Sequence, residues 1–346
     1  MPAQKQQREF EKILAAGLYE EPFTLIDIGC HGGIDPRWLP LKEHLRAFAI
    51  DPSAEEIARL SASAPVGVEY IAALVDGRPK IAWDSTNPIW DRLSIAETLR
   101  IRARNQRPSP ASAPADPPKS IFLPDFARDR NLTDIDFIKI DVDGPDFDIL
   151  DSAAGLLSTT NVLGLKLEVN FHGGPNETDH TFHNTDRFMR RAGFELADLS
   201  ITRYTMAALP GRYLLSIPAQ SATGRPFQGD AIYVRDLCSP KMRDLAANLS
   251  DQKLLKLALI FSIHYLEDQA AEVLVAFRSR LAKHIDVGMA LDTLAKHGIS
   301  SAKDYASHMA RFQSDSPNFY ETDKQHFPAN NHLIRLWNKL LSLIPR

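Results

Sequence analysis

Short apolar runs that end in an acid recur through the first two thirds of the chain: "FTLIDIG" (23–29), "RAFAID" (46–51), "VEYIAALV" (68–75, then Asp76), "IDFIKIDVDG" (135–144) and "VLGLKLEVNF" (162–171). The first shows the pattern best: it is too short for a buried helix and alternates too little for a half-wetted strand, as expected of a strand buried on both faces. Helix-like stretches lie between them, among them 36–45 and "SAEEIARLSAS" (53–63), with Ser53 as N-cap and Glu56 three residues on. Such alternation predicts βαβ units and a parallel sheet with right-handed crossovers. Six or seven strands are expected, the last being "GDAIYVRD" (229–236), antiparallel at or near an edge because the connections there are short.

The remaining segments set the domain organisation. Residues 4–17 read as a short amphipathic helix stopped by Gly17, and "NQRPSPASAPADPP" within 105–120 as a loop inserted into the domain, since the strand pattern resumes after it. From about Ser239 the strand signal disappears and apolar residues recur at helical spacing, so the expected divisions are 1–22, 23–238 and an all-helical appendage at 239–346. A net charge of −4 gives no global reason to bind nucleic acid, and no nucleic-acid partner is expected. Cys30 and Cys238, without C-x-x-C spacing, fit neither a disulfide framework nor a cysteine-built zinc site. With no signal-like apolar segment and no transmembrane-length run, a cytoplasmic location is expected.

In a parallel α/β sheet the ligand sits at the carboxyl ends of the strands, where Asp27, Asp51, Asp76, Asp141 with Asp143, and Glu168 fall. Any one of them would serve as a cap or turn residue; five strands sharing the feature point to a site. After Asp27 the order Gly29-Cys30-His31-Gly32-Gly33 is not G-x-G-x-x-G, which disfavours a dinucleotide cradle and an NAD-dependent oxidoreductase. An acid beside bare glycine backbone suits the zwitterionic end of a ligand. Asp51 is placed to accept both hydrogen bonds of a ribose diol, and Asp76 to meet an adenine amino group. Amino acid, ribose and adenine together specify S-adenosylmethionine.

The motifs "IDIGCHGG", "AFAIDPS" and above all "DFIKIDVDGPDFDIL" resemble those of the FkbM family of S-adenosylmethionine-dependent methyltransferases, and the resemblance extends through "TNPIWDRL", "LKLEVNF", "FMRRAGFELADL" and "QGDAIYVRD", covering about 23–236. It implies an α/β fold: a seven-stranded, mostly parallel Rossmann-like methyltransferase sheet with helices on both faces. It also implies O-methylation of a hydroxyl on a sugar, glycolipid, polysaccharide or secondary metabolite. Asp51 and Asp143 stand where the family most often has Glu, each one methylene shorter.

The cofactor-binding candidates are therefore Asp27, Gly29, His31, Gly33, Asp51, Ser53, Asp76 and Asp141, with His31 either touching the cofactor or merely filling the turn. A sugar-type hydroxyl is a poor nucleophile and calls for a base, for which Asp143, Glu168 and His172 are the candidates. A divalent metal is a secondary possibility: His180 and His183 could join a strand-end acid, or Asn170 could pair with Asp141, but the spacing supports no metal site. Trp38, Trp83 and Trp90 are equally readable as core or as sugar-stacking surfaces. The helical tail reads as a module for homodimerisation or a protein partner, or as a packing extension; its last stretch, 330–346, would dock on its own domain or lie on a membrane surface. The rival functional class is a non-catalytic cofactor-binding module whose tail recruits partners.

Overall fold

The computed structural model describes residues 2–77, 118–142, 144–206, 220–296, 303–314 and 316. Asp143, Trp83, Trp90, the stretch 330–346 and most of the proline-rich segment lie outside the described residues. The chain divides into two compact units, Gln7–Val287 and a smaller one made of Met1–Gln6 with Gly288–Arg346.

In chain order the elements are α1 (Pro2–Ala15), β1 (Phe23–Ile28), a 3-10 segment (Pro36–His44), β2 (Leu45–Asp51), α2 (Ala54–Ser61), β3 (Val68–Ala72), β4 (Leu74–Val75), β5 (Ser120–Ile121) and α3 (Leu123–Asp129). There follow β6 (Phe137–Ile140), α4 (Asp146–Ser152), α5 (Ala154–Thr159), β7 (Gly164–Asn170), α6 (Phe182–Arg191), β8 (Glu195–Tyr204) and β9 (Arg225–Val234). The helices α7 (Arg243–Asn248), α8 (Asp251–Ile263), α9 (Glu267–Ala276), α10 (Arg278–Leu281), α11 (Val287–Ala295) and α12 (Tyr305–Ser314) complete the described chain.

Among the described residues, seven strands form one sheet in the order β3-β2-β1-β6-β7-β9-β8. All run parallel except β9, which is antiparallel to both of its neighbours. The last strand is thus antiparallel and one place in from the edge, as expected, although residues 205–224 make its connection from β8 a long one rather than the short one anticipated. The run at 68–75 departs from expectation: its ladder ends at Ala72, and Leu74 turns away to pair with Ser120 in a separate two-stranded sheet. The helix expected at 36–45 is a 3-10 segment with Pro40 inside it, a residue that cannot donate to a continuing α-helix.

Period-two alternation gives the sheet two faces. Ile26, Ile28, Phe48, Ile50, Ile138, Ile140, Leu165 and Leu167 join residues of α3 to α6 in one core. The opposite face is apolar near the strand starts, where Trp38 packs 5.0 Å from Phe23 and 5.3 Å from Phe137, ring centre to ring centre, so Trp38 is core. Helix α8 is buried from Gln252 to Ile263, including Lys253 and Lys256. Those ammonium groups are tolerable in the interior because Asp136 Oδ1 accepts from Lys253 at 2.6 Å and Asp136 Oδ2 lies 3.1 Å from Lys256. The first half of the helical tail is therefore packed with the sheet in one unit, and α8 is a core helix.

The second face changes character toward the carboxyl ends. Ala49, Asp27, Lys139 and Lys166 are register partners across β2, β1, β6 and β7. One step further along that face stand Asp51, Asp141 and Glu168, with Asp230 opposite Glu168 on β9. The chain builds β1, β2 and β3 outward on one side and then crosses to β6 on the other, which puts the reversal of strand order between β1 and β6. That is where open α/β sheets leave a crevice for ligands.

Candidate active site at the carboxyl ends of the strands

Gly29 ends β1 with φ +81°, its N–H donating to Ile50 O at 2.9 Å. A Cβ there would lie 1.8 Å from the carbonyl oxygen of Asp141, so the turn is pressed against the end of β6 and only glycine fits. At Gly32, φ +84°, an added Cβ would meet nothing within 4 Å, so the tip of the turn is open on that side. Gly33 closes the turn through its N–H to Cys30 O at 2.8 Å. His31 is exposed on the tip, and Cys30 is buried, its thiol pushed up to about 12 by burial, which leaves it unreactive.

Asp27 is 4% exposed and its ammonium partner comes from within the chain. Lys139 Nζ lies 3.2 Å from Asp27 Oδ1 and 3.4 Å from Asp141 Oδ2, and it donates to Gly29 O at 2.7 Å. The contact to Asp27 is an ion pair without hydrogen-bond geometry, leaving Oδ1 with no hydrogen-bonding partner in this structure. Burial raises the Asp27 pKa, and Lys139 works against that rise. For Lys139 burial opposes the charge, but Asp27 and Asp141 outweigh it and raise its pKa. Lys139 carries no assignment from the sequence, although it stands inside the most specific motif; its signal was a lysine two places from an acid in a strand otherwise fully apolar.

Asp51, buried at the end of β2, accepts from the Ser53 N–H at 2.8 Å, and Ser53 Oγ in turn accepts from the Glu56 N–H at 3.3 Å. Only half of the expected capping box forms. Glu56 reaches instead to the glycine turn, where Oε1 accepts from the Gly32 N–H at 3.0 Å, and Arg59 with that N–H holds its pKa down to about 2. Asp76 donates its N–H to Ile121 O at 2.8 Å and lies close enough to raise the pKa of Asp148, at the junction of β6 and α4.

The "DVDG" turn is fixed by Asp146 and His180. Buried Asp146 accepts from the N–H of Val142 at 2.9 Å and of Gly144 at 3.1 Å, its pKa raised by burial despite those donors. His180 bridges: Nδ1 is 3.0 Å from Gly144 O and Nε2 is 3.1 Å from Asp148 Oδ2. A carbonyl oxygen only accepts, so Nδ1 carries a proton, and Nε2 faces the Asp148 carboxyl group. His183 pairs with Thr181 Oγ1 at 3.0 Å, so the two histidines do not converge. Among the described residues no group of three potential metal ligands occurs.

Glu168 Oε1 accepts from Gln228 Nε2 at 2.6 Å, and Asn170 is the register partner of Gln228. His172, two residues past β7, stacks on Phe227 with ring centres 4.3 Å apart. Burial lowers its pKa, which keeps the imidazole neutral, with a lone pair available, at neutral pH. The structure thus brings Asp27, Gly29, Asp51, Asp141 and Glu168 to adjoining positions on one face of four neighbouring strands, with His31 and Gly33 on the turn above. Ser53 caps the neighbouring helix, while Asp76 and His172 stand beyond the strand ends.

Residues 98–196 match the family model described as a methyltransferase FkbM domain, so the match includes "DFIKIDVDG" and "LKLEVNF". No curated protein shows significant similarity to the chain. Among solved structures, a SAM-dependent methyltransferase from Agrobacterium tumefaciens is 12% identical with a TM-score of 0.30, covering 67% of this chain, which spans 62% of that one. A putative S-adenosylmethionine-dependent methyltransferase from Listeria monocytogenes is 10% identical with a TM-score of 0.32, over 68% of this chain and 99% of that one. The Burkholderia thailandensis 1,6-didemethyltoxoflavin-N1-methyltransferase, solved with S-adenosylhomocysteine, is 14% identical with a TM-score of 0.29, over 66% and 78%. Likeness at this level carries no inference about substrate.

Proposed function

We propose, from the premise that the chain carries a match to the FkbM methyltransferase domain, that it is an S-adenosylmethionine-dependent methyltransferase acting on a hydroxyl. The acceptor class is a sugar, glycolipid, polysaccharide or secondary metabolite. The observation that carries the reading is the convergence, at the reversal of strand order, of a glycine that admits no side chain with a row of strand-end acids.

The residues fit the cofactor: the tip of the glycine turn is open at Gly32, and buried Asp27 Oδ1 lacks a hydrogen-bonding partner. Bound S-adenosylmethionine would supply an electrophilic methyl group on a sulfonium. Asp51 would hold the ribose hydroxyls, the turn from Gly29 to Gly33 with His31 the amino-acid end, and Asp76 the adenine. At the floor Lys139 lies between Asp27 and Asp141 and opposes the rise that burial imposes on the Asp27 pKa. Methyl transfer is an in-line displacement, so the remaining work is to place the acceptor oxygen and manage one proton. Neutral His172 is the best base for that proton among the described residues, with Glu168 orienting the acceptor; Asp143 is retained as a further candidate. No step requires a metal, though one could assist.

The test is calorimetric titration with S-adenosylhomocysteine, with NAD⁺ as comparison. Micromolar binding of the former alone, about −8 kcal/mol, is the expected result. Binding of NAD⁺ alone overturns the reading.

A further inference from the structure

Four residues before β1 begins, Tyr19 exposes 60% of its surface and its hydroxyl lies 3.0 Å from His284 Nδ1. The other ring nitrogen, Nε2, lies 3.1 Å from Asp251 Oδ2. Asp251 Oδ1 accepts from Arg280 Nε at 2.6 Å, and Arg280 Nη1 donates to Ala246 O at 2.8 Å. Burial would raise the Asp251 pKa, but Arg280 and His284 outweigh it and hold the carboxyl below its ordinary range. An ionised carboxylate only accepts, so Nε2 carries the ring proton and Nδ1 turns its lone pair to the Tyr19 O–H. A hydroxyl, a base and an acid that orients the base stand in sequence, the arrangement that activates a nucleophile.

The segment carrying Tyr19 is fixed in place. The N–H groups of Glu20 and Glu21 both donate to Gln252 Oε1, at 3.2 and 3.1 Å, in the first turn of α8. Glu20 and Glu21, next to Tyr19 in the chain, line a cavity of about 390 Å³ together with Thr24, Arg46, Lys253 and Lys256; Tyr19, His284 and Asp251 are not part of its wall. That volume is in the range of small-molecule sites, roughly 300–1,000 Å³. It lies at the amino-terminal ends of the strands, away from the acids at their carboxyl ends.

We propose that Tyr19 is a general-base-activated nucleophile that accepts an acyl group from an activated carboxylic ester, at a site separate from the one described above. An acyl donor fits better than a phosphoryl donor, because Glu20 and Glu21 adjoin Tyr19 in the chain and would repel a dianionic phosphate there, while Lys253 and Lys256 in the cavity wall are already paired with Asp134 and Asp136. In the step, Tyr19 Oη bonds to the carbonyl carbon and its proton passes to His284 Nδ1. The bond from that carbon to the leaving oxygen or sulfur breaks, and the leaving group departs with the electron pair and collects the proton from His284. The products are an aryl ester on Tyr19 and a free alcohol or thiol, with no oxidant or reductant consumed.

The test uses the full chain and p-nitrophenyl acetate. One equivalent of p-nitrophenolate should appear in a burst, with the acetyl group found by peptide mass on Tyr19. Tyr265, which is 54% exposed, serves as comparison within the same molecule, and Tyr19 should react at least tenfold faster. Tyr19→Phe should abolish the burst, and His284→Gln or Asp251→Asn should slow it tenfold or more while thermal melting confirms that the variants fold. Equal labelling of Tyr19 and Tyr265, no acetyl group on Tyr19, or a Tyr19 rate unchanged in folded His284→Gln overturns the proposal.

Discussion

Lys139 Nζ stands 3.2 Å from Asp27 Oδ1, its register partner across β1 and β6, and donates to the carbonyl oxygen of Gly29 at 2.7 Å. One side chain therefore holds the strand-end acid and the first glycine of the turn together. It also reaches Asp141, at 3.4 Å, so the two sides of the strand-order reversal share a single cation. The geometry of the glycine turn depends on a residue of another strand more than a hundred positions away.

Lys139→Met should leave Asp27 as a buried charge without its cation, at a cost of about 3–5 kcal/mol of stability. The double variant Lys139→Met/Asp27→Asn should recover more than half of that loss, because the buried charge is gone and the remaining partner, Asp141, is 35% exposed. Urea unfolding at pH 7 measures both. A single variant as stable as the parent would show that the pair does not hold the turn.

Gly29→Ala and Gly32→Ala should differ sharply although both glycines have positive φ. At Gly32 the added methyl meets open space, so the loss is the left-handed backbone penalty alone, about 1–2 kcal/mol. At Gly29 the same methyl would sit 1.8 Å from Asp141 O, and little folded protein is expected. Soluble yield and melting temperature compare the two.

Asp51→Ala should weaken S-adenosylhomocysteine binding about 10- to 100-fold, in line with hydrogen bonds to a charged group worth roughly 1.5–3 kcal/mol. The loss of its bond from Ser53 should cost only a few tenths to ~1 kcal/mol of stability. Calorimetry on the melted-and-checked variant decides; unchanged affinity removes Asp51 from the site.

Glu11 gives a pH dependence with a definite sign. Burial raises its pKa from an ordinary 4.5 to about 7, with Ser262 and Arg8 pulling the other way. Between those values the folded chain binds a proton that the unfolded chain has lost, so this group's contribution to stability is greatest below about 4.5 and falls as pH rises toward 7. Glu11→Gln should accordingly stabilise the protein more at pH 8 than at pH 5, the difference approaching ~3 kcal/mol. Parallel melts at the two pH values check it; equal gains would mean that Glu11 ionises normally.

The strands were legible because their side chains are apolar on both faces, a local property: "FTLIDI" is buried at every position, as the run itself required. The acids at strand ends were legible for the same reason, since each interrupts an apolar run. Where tertiary contacts compete with local pattern, the sequence was a poorer guide. Val68–Val75 reads as one strand, yet the chain turns after Ala72 because Leu74 finds its partner in Ser120. Glu56 has the spacing of a capping box, yet it serves Gly32 because Asp51 has already taken the Ser53 N–H.

By itself the sequence determined the alternation of strands and helices, the parallel sheet, the position of the glycine turn and the acids that border it. Each of these follows from short-range chemistry: side-chain period, turn propensity and the cost of ending a buried run. Only the tertiary structure decided what those acids meet. Lys139 reaches Asp27 because β1 and β6 are neighbours, His180 clamps Gly144 because the segment after β7 folds back over the "DVDG" turn, and His284 backs Tyr19 from 265 residues away. Pairings of that kind depend on strand order and helix docking, which burial of the whole core selects and no local stretch of sequence encodes.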